Sequence, residues 1–164
     1  MGAGQFMKTY LPLLYFFLLL NAQTNGVEIS GNAKTFPKTG LIELHGKEIL
    51  LQGIQIISQN ATCQDSNGEW SCGKNAWRAL KNKLQLGPVH CTIASELQNT
   101  QGYPIKANCL MKKENIGIWL VSRGWALTNK KQDGFLSIQE NLARENKMGI
   151  WRDDFIPPDL WRIS

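Results

Sequence analysis

The sequence predicts a single α+β domain, mainly β: a partly open five-stranded barrel with about three helices packed on it. Three observations point there. Short apolar runs split by turn residues occupy residues 39–57 and again 88–111, which is the pattern of half-buried strands. Apolar residues at helical spacing fill three other stretches, and four cysteines fall among these elements. A chain of 164 residues with 43% hydrophobic content and six Trp can bury one sizeable core. Its composition excludes collagen-like and disordered classes.

From the N-terminus, Lys8 precedes the apolar run 10–20 (YLPLLYFFLLL), and small and polar residues follow through Gly26. That order predicts a secretory signal peptide over residues 1–26. The run is too short for a bilayer, where about 20 apolar residues are needed. Cleavage is expected after Ala22, or after Gly26, where Thr24 suits the third position before the cut better than Leu20 does. The alternative is a retained interfacial anchor. The mature domain then spans 27–164, with no transmembrane span, in the periplasm or outside the cell. Export places Cys63, Cys72, Cys91 and Cys109 in an oxidising compartment, where an even count predicts two disulfides. The nearest pairing, Cys63 with Cys72 and Cys91 with Cys109, closes two short loops worth roughly 3 kcal/mol each in the chain-entropy model. Free buried thiols are the alternative, and the absence of any CxxC pair argues against structural zinc.

Residues 39–57 read as a strand hairpin, and QDSNGEWS, between the first two cysteines, as a loop rich in turn formers. In residues 73–84, Ala76, Trp77, Leu80 and Leu84 form the inner face of an amphipathic helix, and Lys74, Arg78, Lys81 and Lys83 lie on other faces as solvated surface. Residues 88–95 and 106–111 predict a second hairpin, with Cys91 and Cys109 placed to bridge it. Residues 116–127 read as one apolar helix ending near Gly124, and 136–148 as a mixed-charge helix stopped at Gly149. No repeats, low-complexity tracts or long linkers occur. A partly open five-stranded barrel of the OB type fits this order and length.

Certain stretches are specific in combination: GxxILLxGI at 46–54, WSCGxxA at 70–76, AxC at 107–109, LVSRGWAL at 120–127, ExxAR at 140–144, GIW at 149–151 and FxxPxxWR at 155–162. With the four cysteines, this framework resembles the staphylococcal-nuclease-like (thermonuclease) family, in particular its secreted four-cysteine Gram-negative members. The resemblance implies an OB-fold barrel with a phosphodiesterase site, in which carboxylates hold calcium, a Glu helps activate water and two Arg clamp the phosphate. A hard divalent cation needs oxygen ligands, and charge developing on phosphate needs fixed cationic donors.

Carried over position by position, none of those groups is present. The family's metal-binding Asp residues fall on Gly40 and Gln55, its clamping Arg residues on Leu50 and Tyr103, and its Glu on Ser58. Slippage does not restore them, because the acids between Gly40 and Cys63, Glu43 and Glu48, both precede Leu50, and a one-residue shift would reverse every side chain of the strand. The resemblance therefore implies a degenerate nuclease, a pseudoenzyme without catalytic or metal-binding residues, acting as a binding or interaction module. Calcium is expected only were the family site intact, and no other cofactor is indicated.

Two alternatives stand beside it: a metal-dependent nuclease using Asp65, Glu69 and basic residues of the 73–84 helix, and a structural part of an envelope or secretion assembly. The formal charge of +5, or +4 once Lys8 is removed, permits attraction to anions without demanding it. A neutral polar cleft near Gln55, Ser58 and Tyr103 is expected. Residual nucleic-acid binding would be weak and rest on dispersed lysines such as Lys81, Lys83, Lys112 and Lys113; otherwise the partner is a protein. His45 and His90 lack a neighbouring nucleophile or acid and read as surface or turn residues. Trp151 and Trp161 are expected to pack structurally, and Asn60-Ala61-Thr62 matches a glycosylation acceptor that matters only in a eukaryotic secretory pathway. No GxSxG, Walker A, HExxH or EF-hand loop occurs.

Overall fold

A computed structural model describes residues 26–93, 104–129, 134–158 and 161. The expected signal peptide and Tyr103 therefore lie outside the described residues. The first two strands, β1 (Val27–Gly31) and β2 (Lys34–Phe36), precede the region where the sequence pattern predicts the sheet to begin. β1 alternates half-buried and exposed residues, so no strongly apolar run announces it. β3 (Leu41–Leu44) and β4 (Lys47–Leu51) then form the predicted hairpin across His45 and Gly46, both at positive φ (53° and 74°). Such turns match the right-handed twist of the strands they join.

β5 (Ile54–Ile56) leaves the main sheet. The stretch expected to be a loop between the first two cysteines is a small hairpin, β6 (Cys63–Asp65) and β7 (Gly68–Trp70), turning at Ser66-Asn67 with Gly68 at φ 112°. The strands are only three residues each and mostly polar, so no apolar alternation marked them. Helix α1 (Cys72–Leu84) buries Ala76, Trp77, Leu80 and Leu84 as its spacing predicts. β8 (Val89–Ile93) and β9 (Ile105–Met111) make the second hairpin, and β10 (Glu114–Asn115) folds back on β9.

The apolar stretch 116–127, read as one helix, is divided: α2 (Ile116–Ser122) ends at Gly124 (φ 67°), and β11 (Ala126–Thr128) pairs with β5. Asn115 caps α2 by accepting a bond from the Ile118 amide at 2.9 Å. α3 (Phe135–Glu145) and a 3-10 segment (Gly149–Asp154) complete the described chain, apart from the residues that trail it.

The observed fold is thus α+β and mostly strands, with three α-helices among the described residues. In place of the partly open five-stranded barrel expected, a larger open sheet forms. Among the described residues the main sheet has seven strands in the order β1-β8-β9-β4-β3-β2, with β10 beside β9, and only the β4–β9 pairing is parallel. It curls into a half-barrel consistent with an OB-like fold. Where the curl brings the β3–β4 turn toward β1, His45 Nε2 lies 2.7 Å from the Ser30 carbonyl, a side-chain tie in place of a ladder. Gly31 makes room for it, since a Cβ there would fall 2.5 Å from that nitrogen.

Two buried clusters result. One fills the curl, with Ile42, Leu44, Ile49, Val89, Ile93 and Leu120 among its members; the other joins Ile57, Ala76, Leu127, Ile150 and Trp151. The expected disulfides are both present, Cys91–Cys109 in the first cluster and Cys63–Cys72 in the second. No helix among the described residues is long and apolar enough to cross a membrane.

Candidate functional site

The resemblance directs attention first to Gly40, Leu50, Gln55 and Ser58. Gly40 ends the β2–β3 turn with φ 78°, and a Cβ placed there would meet nothing within 4 Å. Its backbone conformation suits glycine. Leu50 is half-buried in β4 opposite Lys106 of β9. Gln55, in β5, is opposite Leu127, and its Nε2 donates to the Ile56 carbonyl at 3.3 Å. Ser58 follows β5, exposed, and its carbonyl accepts from the Ala61 amide at 2.9 Å. The four lie in a turn, in β4, in β5 and in the segment after β5. Among the described residues no group of three or more His, Cys, Asp or Glu stands where it would hold a metal ion.

The alternative acids have structural work. Asp65 Oδ1 accepts from the Asn67 amide at 2.8 Å, and Oδ2 is 3.8 Å from Arg152 Nη1. Arg152 also lies over the Trp70 ring, 4.2 Å from its centroid. Asp153 Oδ2 accepts from the Ser66 amide at 2.7 Å, and that bond, with help from Lys147 and Arg152, holds its carboxyl below the usual carboxylate range. Together these contacts fasten the β6–β7 hairpin to the 3-10 segment. Glu69 is exposed on β7 opposite Gln64, across from no acid.

Glu140, which the resemblance marks within ExxAR, is buried on α3. One of its oxygens accepts from both the Thr128 amide (2.6 Å) and the Thr128 hydroxyl (2.8 Å), and the other is 3.9 Å from Arg144. Arg144 in turn covers the Trp151 ring at 4.4 Å. The motif locks α3 to β11 and to the 3-10 segment. Glu140→Ala would remove the buried carboxylate that accepts from both Thr128 donors. A loss of about 2–3 kcal/mol is expected in urea unfolding, as for a buried bond to a charged group; Glu140→Gln, which keeps an acceptor, is expected to lose less.

Of the lysines expected to serve residual nucleic-acid binding, Lys83 is committed elsewhere. It pairs with Glu114 and sits 5.0 Å from the centre of the Trp119 ring. Lys81 lines a small cavity of about 190 Å³ with Lys34, while Lys112 and Lys113 form the β9–β10 turn. Sequence reasoning treated Lys83 as surface because Glu114 is distant in the chain; pairing across 31 positions leaves no local signal.

A larger cavity of about 310 Å³, which sequence reasoning did not foresee, lies between the β4–β5 turn, β9 and the starts of α2 and α3. Gln52, Asn108 and Asn115 present amides to it, and Ile118, Phe135 and Leu136 form its apolar wall. The amides come from three separate segments, so no motif could have marked them. His45 and His90 stand apart, in a turn and on an exposed face of β8, as predicted. Trp151 is buried and Trp161 packs against the second cluster, also as predicted.

No family model matches this chain, and no curated protein matches it.

Proposed function

We propose that the chain is an exported domain of the staphylococcal-nuclease-like type that has lost its catalytic groups and acts as a binding or interaction module in the periplasm or outside the cell. The observation that carries this reading is where the carboxylates are. Asp65, Asp153, Glu114 and Glu140 each hold backbone or cationic partners that brace the fold, while Gly40 and Gln55 stand at the positions where the resemblance requires metal-binding acids. Calcium bound by such a chain would lack the charged oxygen ligands it favours. Leu50 likewise offers no guanidinium to a phosphate. The α+β fold with two disulfides supports an exported setting, since such bridges persist in oxidising compartments. Nucleic acid bound through scattered surface lysines would be held weakly, with a shallow dependence on salt.

The test is hydrolysis of labelled single-stranded DNA and RNA by the purified, oxidised protein with added calcium. No cleavage above a buffer control is expected. Calcium-dependent cleavage that is abolished by EDTA and co-elutes with the protein would overturn the reading and restore the nuclease alternative.

A further inference from the structure

The cavity of about 310 Å³ is at the small end of the range of ligand sites, roughly 300–1,000 Å³. Among the described residues, its lining contains no charged side chain. One side offers amides from Gln52, Asn108 and Asn115; the other offers Ile118, Leu136 and the ring of Phe135, which is 58% exposed. An exposed aromatic ring facing a set of amides is an unusual use of surface, because each amide both donates and accepts.

The two asparagines are fixed relative to each other. Asn115 Oδ1 is held by the Ile118 amide at 2.9 Å, so its Nδ2 is the donor, and that donor meets Asn108 Oδ1. The chain of bonds therefore settles which way both amides face. It leaves the Nδ2 group of Asn108 and the second Nδ2 hydrogen of Asn115 as donors of two residues that line the cavity, with Gln52 contributing a whole amide from an exposed turn position. The Gly53 backbone, also at the cavity, is held by a bond from the Asn129 amide to its carbonyl at 3.1 Å. Fixed donors beside an apolar wall orient a ligand without the ordering cost that mobile side chains impose.

We infer that this cavity binds an uncharged, polyhydroxylated ligand about the size of a sugar ring, its hydroxyls bonded to Asn108 and Gln52 and its C–H face laid on Phe135. Hydroxyls match amides in both donating and accepting, and one face of a sugar ring is apolar enough to cover an aromatic ring. A phosphate or carboxylate would find no cation among the described lining residues. The inference stands apart from the proposed function: nuclease activity would sink that reading and leave this one intact.

The experiment titrates the isotopically labelled, oxidised protein with glucose, galactose and N-acetylglucosamine, each to about 50 mM, the regime of weak single-sugar affinities. The side-chain amide resonances of Gln52, Asn108 and Asn115 are followed by NMR. Saturable shifts at these amides with at least one sugar are expected. Asn108→Ala and Phe135→Ala should each weaken that binding about tenfold or more, while Gln85→Ala, at the other cavity, should leave it unchanged. Asn108 and Phe135 are exposed, so both variants should keep the wild-type backbone spectrum; Gln52→Ala provides a third check of the same cavity. The inference is overturned if no sugar moves these resonances, if the substitutions leave sugar affinity unchanged, or if adenosine binds there more tightly than every sugar, which would make the cavity a nucleobase site.

Discussion

Gly124→Ala is expected to destabilise the protein by about 3–4 kcal/mol. The residue follows α2 in the left-handed region (φ 67°), where its amide bonds the Val121 carbonyl (2.9 Å) and the Trp125 amide bonds the Leu120 carbonyl (2.8 Å), the paired bonds of a Schellman cap. An alanine there costs roughly 1–2 kcal/mol in conformation alone. It also meets an obstacle, because a Cβ would lie 2.1 Å from the Met148 carbonyl oxygen. Gly149 approaches from the other side, its own Cβ position 2.4 Å from the Arg123 and Gly124 carbonyl oxygens, while the Ile150 amide bonds Gly124. Overpacking at such a site adds about 1–3 kcal/mol. Thermal unfolding should therefore fall by roughly 10 °C. Gly40→Ala provides the comparison: φ is equally positive at 78°, but nothing lies within 4 Å, so only the conformational cost applies. Equal losses at the two positions would show that the backbone contact between residues 124 and 148 has no energetic weight.

Removing the Cys91–Cys109 bridge by the double substitution to alanine should cost about 2–5 kcal/mol, the usual range for small secreted domains. The two cysteines are direct partners in the β8–β9 register and both are buried, at 1% and 2% exposure. The same change at Cys63 and Cys72 should cost less. That bridge closes a separation of 9 residues against 18, a doubling worth about 0.6 kcal/mol in loop entropy. It also joins a strand to the first residue of α1, whereas Cys91–Cys109 lies in the middle of the main sheet. Urea midpoints for wild type and both double variants give the order directly, and a larger loss at Cys63–Cys72 would contradict it.

What the sequence made legible follows from locality. α1 was readable because Ala76, Trp77, Leu80 and Leu84 repeat at 3.6-residue spacing and all four are buried. The disulfides were readable because each joins near neighbours in the chain. The division of 116–127 was not, since Gly124 can equally end a helix before a loop or before a strand, and only pairing with β5 decides for β11. The end of α3 was misplaced for a related reason. Gly149 resembled a helix stop, but the left-handed residue after α3 is Lys147 (φ 52°), and Gly149 is required by its approach to Gly124. Gly40, Leu50, Gln55 and Ser58 were singled out from the resemblance alone, while the cavity of Gln52, Asn108 and Asn115 depends on three segments meeting.

Trp125 packs against both buried clusters and meets Trp70 edge-on at 6.5 Å. Neither disulfide crosses from one cluster to the other. Oxidation therefore strengthens each half separately and adds no covalent coupling between them. Whether the molecule melts as one unit depends on non-covalent continuity: the β5–β11 ladder and the indole wedged at the seam. That indole is also a natural reporter, since its emission will change when the two halves part, even while both bridges stay closed.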